Sequence, residues 1–220
     1  MIKRAAPGER LLAYIKKNLA DKDPAWRNVR LEDLPLYDTL RVDVGGLPAQ
    51  TRQFFVNPIG AAADGFAPKT GYATNLTTAG QVPSGRGFEL HQLATFFRAT
   101  SPTPDPTSDI SNFQNAFINS FLTFESLDYK RVLGPPDFYP AGGGGSISGI
   151  GGGGGGNTGF VRNGSDAWML GTYHFVEPLI IIPGQQFRVE WAFGNFLGGT
   201  LVFDVGIRMQ GLAANQINPN

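Results

Sequence analysis

From residue 34 onward the chain is a succession of short extended-texture segments cut by glycine and proline. This succession limits what it can fold into more than any other feature. In "LYDTLRVDVGG", Leu40, Val42 and Val44 alternate with Arg41 and Asp43, the period-two pattern of a strand with one buried face. "TRQFFVNP" is a second short strand candidate. "GFAPKTGYATNLTTAGQVPSG" is turn-rich, with a weak extended piece over 72–78. "RGFELHQLATFFRAT" alternates through Phe88, Leu90 and Gln92 and then turns wholly apolar, as a buried strand does. "SPTPDPTSD" carries three prolines at alternate positions, which excludes helix and central strand alike. "FLTFESLDYKRVLG" holds a strand or hairpin. Four candidates then follow in a row: "AWMLGTYHFVEP", "LIIIP", "QQFRVEWAFG", where Val189, Trp191 and Phe193 alternate with Arg188 and Glu190, and "TLVFDVGIRMQG", marked by Val202, Phe203, Val205 and Ile207. The connections are too short or too turn-like for βαβ crossovers, so the pattern predicts an all-β, antiparallel sandwich or barrel. No internal repeat recurs at a fixed period.

Composition agrees with one such body. A sandwich of 220 residues is commonly a single domain. Seventeen Phe against three Met predict a core of aromatic and β-branched side chains, and the absence of Cys removes disulfides, thiolate metal sites and a Cys nucleophile. The opening residues lack an apolar run of secretory length. The longest apolar run, "PLIIIP", is far too short to span a bilayer as a helix.

The first thirty residues have a different texture. "PGERLLAYIKKNLADKD" reads as an amphipathic helix with Pro7 in its first turn. Leu11, Leu12, Ile15 and Leu19 form one stripe, and Arg10, Lys16 and Lys17 lie off it. Such a helix can dock on its own body, on a neighbouring subunit or on a membrane surface. Residues 1–30 hold eight basic residues, Lys3 and Arg4 among them, against three acidic, a balance of +5. The remaining 190 hold ten basic and fifteen acidic, a balance of −5. A basic arm on a mildly acidic body favours a polyanion or an acidic surface as partner. A second short helix is expected within "ISNFQNAFINS", with Ser108 or Asp109 as N-cap and Ile110, Phe113 and Phe117 on one face.

The stretch Pro140–Phe160, "PAGGGGSISGIGGGGGGNTGF", holds twelve glycines in twenty-one residues. It matches the dinucleotide fingerprint only as any polyglycine does. No helix opens at its last glycine, prolines precede it, and strand texture follows. As an interdomain linker it would leave about sixty residues after it, marginal as an independent antiparallel domain. It therefore reads as a long surface loop between strands of one sandwich. Metal chemistry finds little support. Of the two histidines, His91 and His174, only His91 has a same-face carboxylate, Glu89, and the paired-His motif of metal-binding β-barrels is missing from "ELHQL". There is no G-x-S-x-G elbow, and Glu125, Asp128 and Asp137 are not paired by spacing. The sequons at Asn75 and Asn163 carry no weight without a secretory context, and Asn163–Gly164 reads as a tight turn.

A resemblance runs through about residues 37–210. "TNLTTAGQVPSGRGFELHQLATFF", "FLTFESLDYKRVLGPPDFYPAGGG", "YHFVEPLIIIPGQQFRVEWAF" and "GTLVFDVGIRMQG", in this order after a basic N-terminal helix, resemble the jelly-roll structural proteins of tailless icosahedral bacteriophages. The glycine run here is longer than that pattern requires. The resemblance implies a single jelly roll of about eight strands over 34–212, a helical arm over 1–33, a glycine-rich loop over 141–159 and a loose tail over 213–220. It implies a capsid subunit in the virion, not an enzyme, with no catalytic residue, cofactor or metal and no small-molecule substrate. Its partners would be copies of itself and other capsid proteins. The arm, through Lys3, Arg4, Arg10, Lys16 and Lys17, would touch the particle interior, packaged nucleic acid or an internal membrane face. Leu11, Leu12, Ile15 and Leu19 would face a neighbouring subunit, and Gly142, Gly145, Gly151 and Gly156 would form an inter-subunit loop. The alternative is a receptor- or carbohydrate-binding sandwich whose groove is lined by exposed aromatics such as Trp168 or Tyr139. A sandwich hydrolase ranks third.

Overall fold

The computed structural model describes residues 6–46, 51–62, 68–82, 86–99, 111–112, 115–127, 129–139, 145–150, 158–163, 173–197 and 202–217. Among these residues a helix, α1 (Glu9–Asn18), precedes ten strands: β1 (Val29–Asp43), β2 (Thr51–Phe54), β3 (Gly87–Ala99), β4 (Phe121–Ser126), β5 (Tyr129–Gly134), β6 (Gly145–Ile150), β7 (Thr158–Asn163), β8 (Tyr173–Ile181), β9 (Phe187–Ala192) and β10 (Val202–Gln216). Eight of them form two four-stranded antiparallel sheets, ordered β1-β10-β3-β8 and β2-β9-β4-β5. Among the described residues β6 and β7 pair only with each other. Residues 111–112 and 115–117 are helical, part of the short helix expected there. Among the described residues no helix is long and apolar enough to cross a membrane.

The alternation read from the sequence sets which side chains the sheets bury. Phe187, Val189 and Trp191 are buried while Arg188 and Glu190 stay part-exposed, so β9 is apolar inward and charged outward, as a half-solvated antiparallel strand should be. Residues of both sheets contribute to one buried cluster. At its centre the Trp191 ring meets Phe54, Phe117 and Phe193 at centroid separations of 5.7, 5.3 and 5.5 Å. Phe97 stacks on Phe203 at 4.6 Å. Such pairs add stabilisation beyond the apolar area that they bury. The Trp191 indole N–H, which would be costly to bury unpaired, donates to the Ala116 carbonyl at 2.9 Å.

Several expectations need correction. β1 begins at Val29, so the arm ends before residue 33. The segments "TYHFVEP" and "LIIIP" belong to one irregular strand: Leu90 of β3 pairs with Leu179, yet Gln92 pairs with His174. In β3 the inward phase runs through Phe88 and Leu90 and then resumes at Leu93 rather than Gln92. His91 is an extra residue opposite β10, whose Gln210 pairs with Gln92 and Gly211 with Leu90. A bulge of this kind shifts every later side chain by one position. Opposite it, a Cβ on Gly211 would lie 2.0 Å from the Glu89 carbonyl oxygen, so only glycine fits that close approach. The tail is not loose over 213–216. Glu32 pairs with Ala213 and Val29 with Gln216, and Ala213 and Ala214 are buried. The glycine stretch is not loop throughout, because Gly145–Ile150 and Thr158–Asn163 form a hairpin. That hairpin is inserted between β5 and β8, edge strands of different sheets.

Candidate functional site

The helix expected to reach a neighbour is docked on its own body. Leu11 and Ile15 are buried with Trp26 and Ala214, and Leu19, Leu31 and Ile180 pack around them. This corrects the reading of Leu11 and Ile15 as an inter-subunit face. The small Ala214 and the β1 and β8 side chains leave an apolar seat on the outer side of the first sheet, and the helix fills it. Leu12 is half-buried and lies outside that cluster. Arg10, Lys16 and Lys17 remain exposed. Lys3 and Arg4 lie outside the described residues.

Glu89, on β3, anchors the helix. The cap residue Gly8 has no side chain to cap with, and the first backbone N–H groups of a helix need acceptors. The buried Glu89 carboxylate supplies them: Gly8 N–H donates to Oε1 at 3.1 Å and Leu11 N–H to Oε2 at 2.9 Å. A carboxylate at a helix N-terminus also meets the positive end of the helix dipole. His91 Nε2 lies 3.0 Å from Glu89 Oε1 but is not oriented for a hydrogen bond. The expected pairing of Glu89 with His91 is therefore real as proximity, and the carboxylate is committed to the helix. Among the described residues no group of three or more His, Cys, Asp or Glu could hold a metal ion.

A concavity lies at one end of the second sheet. A cleft of about 630 Å³ opens between the β4–β5 turn, the turn joining β8 to β9 and the segment 79–81. Its volume falls within the range of small-ligand pockets. Glu125 and Arg188 face each other across paired strands. Arg188 Nε and Nη2 both reach Glu125 Oε2, at 2.8 and 2.5 Å, and Nη2 lies 3.3 Å from Glu190 Oε1. Lys130 of β5 bonds the other oxygen of Glu125, and Gln53 of β2 donates to Glu190 at 3.0 Å. Lys130 first, and Arg188 after it, hold the Glu125 carboxyl below its ordinary value against the opposing effect of burial. Glu125 in turn raises Lys130.

Backbone strain gathers around this cleft. Leu127, at the β4–β5 turn, has φ 46° and is 72% exposed. Phe55 has φ 68° and is fully buried. A bulky residue in this region is rare and costs about 1 kcal/mol or more. Two contacts hold Phe55 there. Its N–H donates to Asp38 Oδ2 at 2.6 Å, and its carbonyl accepts from Gly80 N–H at 2.7 Å. The Gly80 carbonyl accepts from Phe187 N–H at 2.7 Å, so Gly80 ties the end of β2 to the start of β9. Its φ of +62° and the Phe187 carbonyl 3.2 Å from a Cβ position both call for glycine. Behind this wall Lys69 Nζ bonds Asp38 Oδ1 at 2.6 Å, with both side chains fully buried. Burial pushes the Asp38 carboxyl above its ordinary value, against the pull of Lys69 and the Phe55 N–H.

The structure brings together residues that the sequence reading left scattered. Glu125 and Arg188 meet only through strand pairing. Lys69 lies in a turn-rich stretch whose texture carries no sign of a buried charge. One signal was present: Asp38 shares the inward phase of Leu36, Leu40 and Val42, and a charge in that phase requires a buried partner. Tyr139, proposed as a groove aromatic, is buried, and its hydroxyl donates to the Leu133 carbonyl. Trp168, Gly142, Gly151 and Gly156 lie outside the described residues, and Gly145 opens β6.

Compared with protein-family models, curated proteins and solved structures, the chain matches none.

Proposed function

We propose that this chain is a jelly-roll subunit that assembles into the icosahedral shell of a virion. One observation carries the reading. Counting only the eight sandwich strands in chain order, the first pairs with the last (β1 with β10), the second with the seventh (β2 with β9), the third with the sixth (β3 with β8) and the fourth with the fifth (β4 with β5). One long antiparallel ribbon rolled into two facing sheets has this pairing, as does a jelly roll of two Greek keys. The sequence resemblance to bacteriophage shell proteins points the same way. Phe121, Val132, Phe138 and Val176 are each at least half exposed, apolar surface of the kind that a contact repeated by symmetry covers. The role is structural, with no reaction and no cofactor. In such a shell the exposed Arg10, Lys16 and Lys17 on α1 would meet a neighbour, packaged nucleic acid or an inner membrane face.

The test is assembly of the full chain. Sedimentation velocity and electron microscopy of the purified protein, across protein and salt concentration, should show closed particles or discrete higher oligomers. A strictly monomeric species under every condition, forming no particles, overturns the proposal.

A further inference from the structure

We infer that the cleft at the end of the second sheet binds a neutral saccharide. The inference is independent of the shell proposal, because it rests on the chemistry of the cleft and not on assembly.

The described charges around the cleft cancel. Glu125 and Glu190 stand against Lys130 and Arg188, linked in one network. Described charges that cancel give little Coulomb attraction to an ion, so selectivity among these groups comes from hydrogen-bond geometry. The network also locks its planar groups in place before any ligand arrives, which lowers the ordering cost of binding. The ion pairs engage Nε and Nη2 of Arg188 and leave Nη1 for another acceptor, on a side chain that is 42% exposed. Glu125 Oε1 retains a lone pair after its contact with Lys130, whereas both lone pairs of Oε2 are taken by Nε and Nη2 of Arg188. The Nη1 donor and the Oε1 acceptor therefore belong to one ordered ion pair. Two adjacent hydroxyls match that pair, one accepting from Nη1 and the other donating to Glu125. Gln81 and Gln186, also lining the cleft, add amide donors and acceptors of the same neutral character. Leu127 supplies the remaining element. It is held at positive φ with most of its side chain in solvent, beside Val56 at the cleft edge. Strain of this kind persists where the surroundings impose it and gathers at ligand sites. An apolar lip next to an ordered diol-binding pair suits a sugar ring, which has a C–H face and a hydroxyl rim.

Saturation-transfer NMR on the full-length protein tests this, since it works on a free subunit and on a large assembly alike. The probes are glucose, galactose, mannose and N-acetylglucosamine, with glucuronate as the charged arm. Saturable transfer to at least one neutral sugar is expected, with a dissociation constant on the order of 1 mM for a single ring. Arg188→Gln should weaken it tenfold or more. Leu127→Gly relieves the backbone strain and keeps the fold, and should also weaken binding severalfold. Absence of saturable transfer from all four neutral sugars overturns the inference. So does transfer unchanged in both variants, or tighter binding of glucuronate than of glucose.

Discussion

Asp38 and Lys69 show how much one buried pair decides. Both side chains are fully enclosed, and removing two charges from water is costly enough that a buried ion pair is no guarantee of net stability. Breaking it is a different matter. Asp38→Asn leaves an unpaired ammonium, and Lys69→Met leaves a buried carboxylate that also holds the strained Phe55. Each single substitution is expected to cost about 3–5 kcal/mol. The double variant should cost less than the sum of the two by at least about 1 kcal/mol, because each single leaves a charge that the double removes. Urea unfolding of the four proteins measures the cycle, and strict additivity would show that the pair is not coupled. The Asp38 half of this pair was legible in the phase of its strand. The Lys69 half was not, because a turn-rich segment has no period from which to read burial.

At the scale of elements, strands β5, β4 and β9 are linked on their outer face by Lys130, Glu125, Arg188 and Glu190. Glu125 is held below its ordinary value, so the folded state binds its proton less readily than the unfolded chain does. Its contribution is present above the ordinary carboxylate pKa and is lost as pH falls through the lowered folded value. The stability difference between the parent and Glu125→Gln should therefore be at most about 1 kcal/mol at neutral pH, given the solvent at the surface. It should vanish in strong acid and shrink in high salt. Chemical denaturation at neutral and at strongly acidic pH, with and without salt, measures this, and a difference that grows as pH falls would contradict the assignment. The alternation of Arg188 and Glu190 with buried neighbours was readable from the sequence. The bulge at His91 was not, because one extra residue changes register without changing composition.

At the scale of the molecule the two ends of the chain depend on each other. The last residues of β10 pair with the first residues of β1, and Ala214 is buried with Leu11 and Ile15 of α1. Removing residues 213–220 should free the helix although it is encoded two hundred residues earlier. Helical signal should fall in far-UV circular dichroism, trypsin should cut faster at Lys16, Lys17 and Lys22, and stability should drop by about 2–4 kcal/mol from lost burial and pairing. Unchanged cleavage would mean that the helix holds its place without the β10 end. This mutual dependence also explains why the helix could not be placed in advance. Its stripe is compatible with any apolar partner, and the seat exists only after the first and last sandwich strands have paired. Local pattern alone determined the all-β class, the inward and outward residues of β9 and of the end of β1, and the amphipathic helix, because each follows from a period of two or of 3.6 within a few neighbours. Tertiary structure alone decided the strand order, the bulge, the seat of the helix and the joining of Glu125 to Arg188. These depend on pairings between residues tens to nearly two hundred positions apart, and nothing in a local period records them.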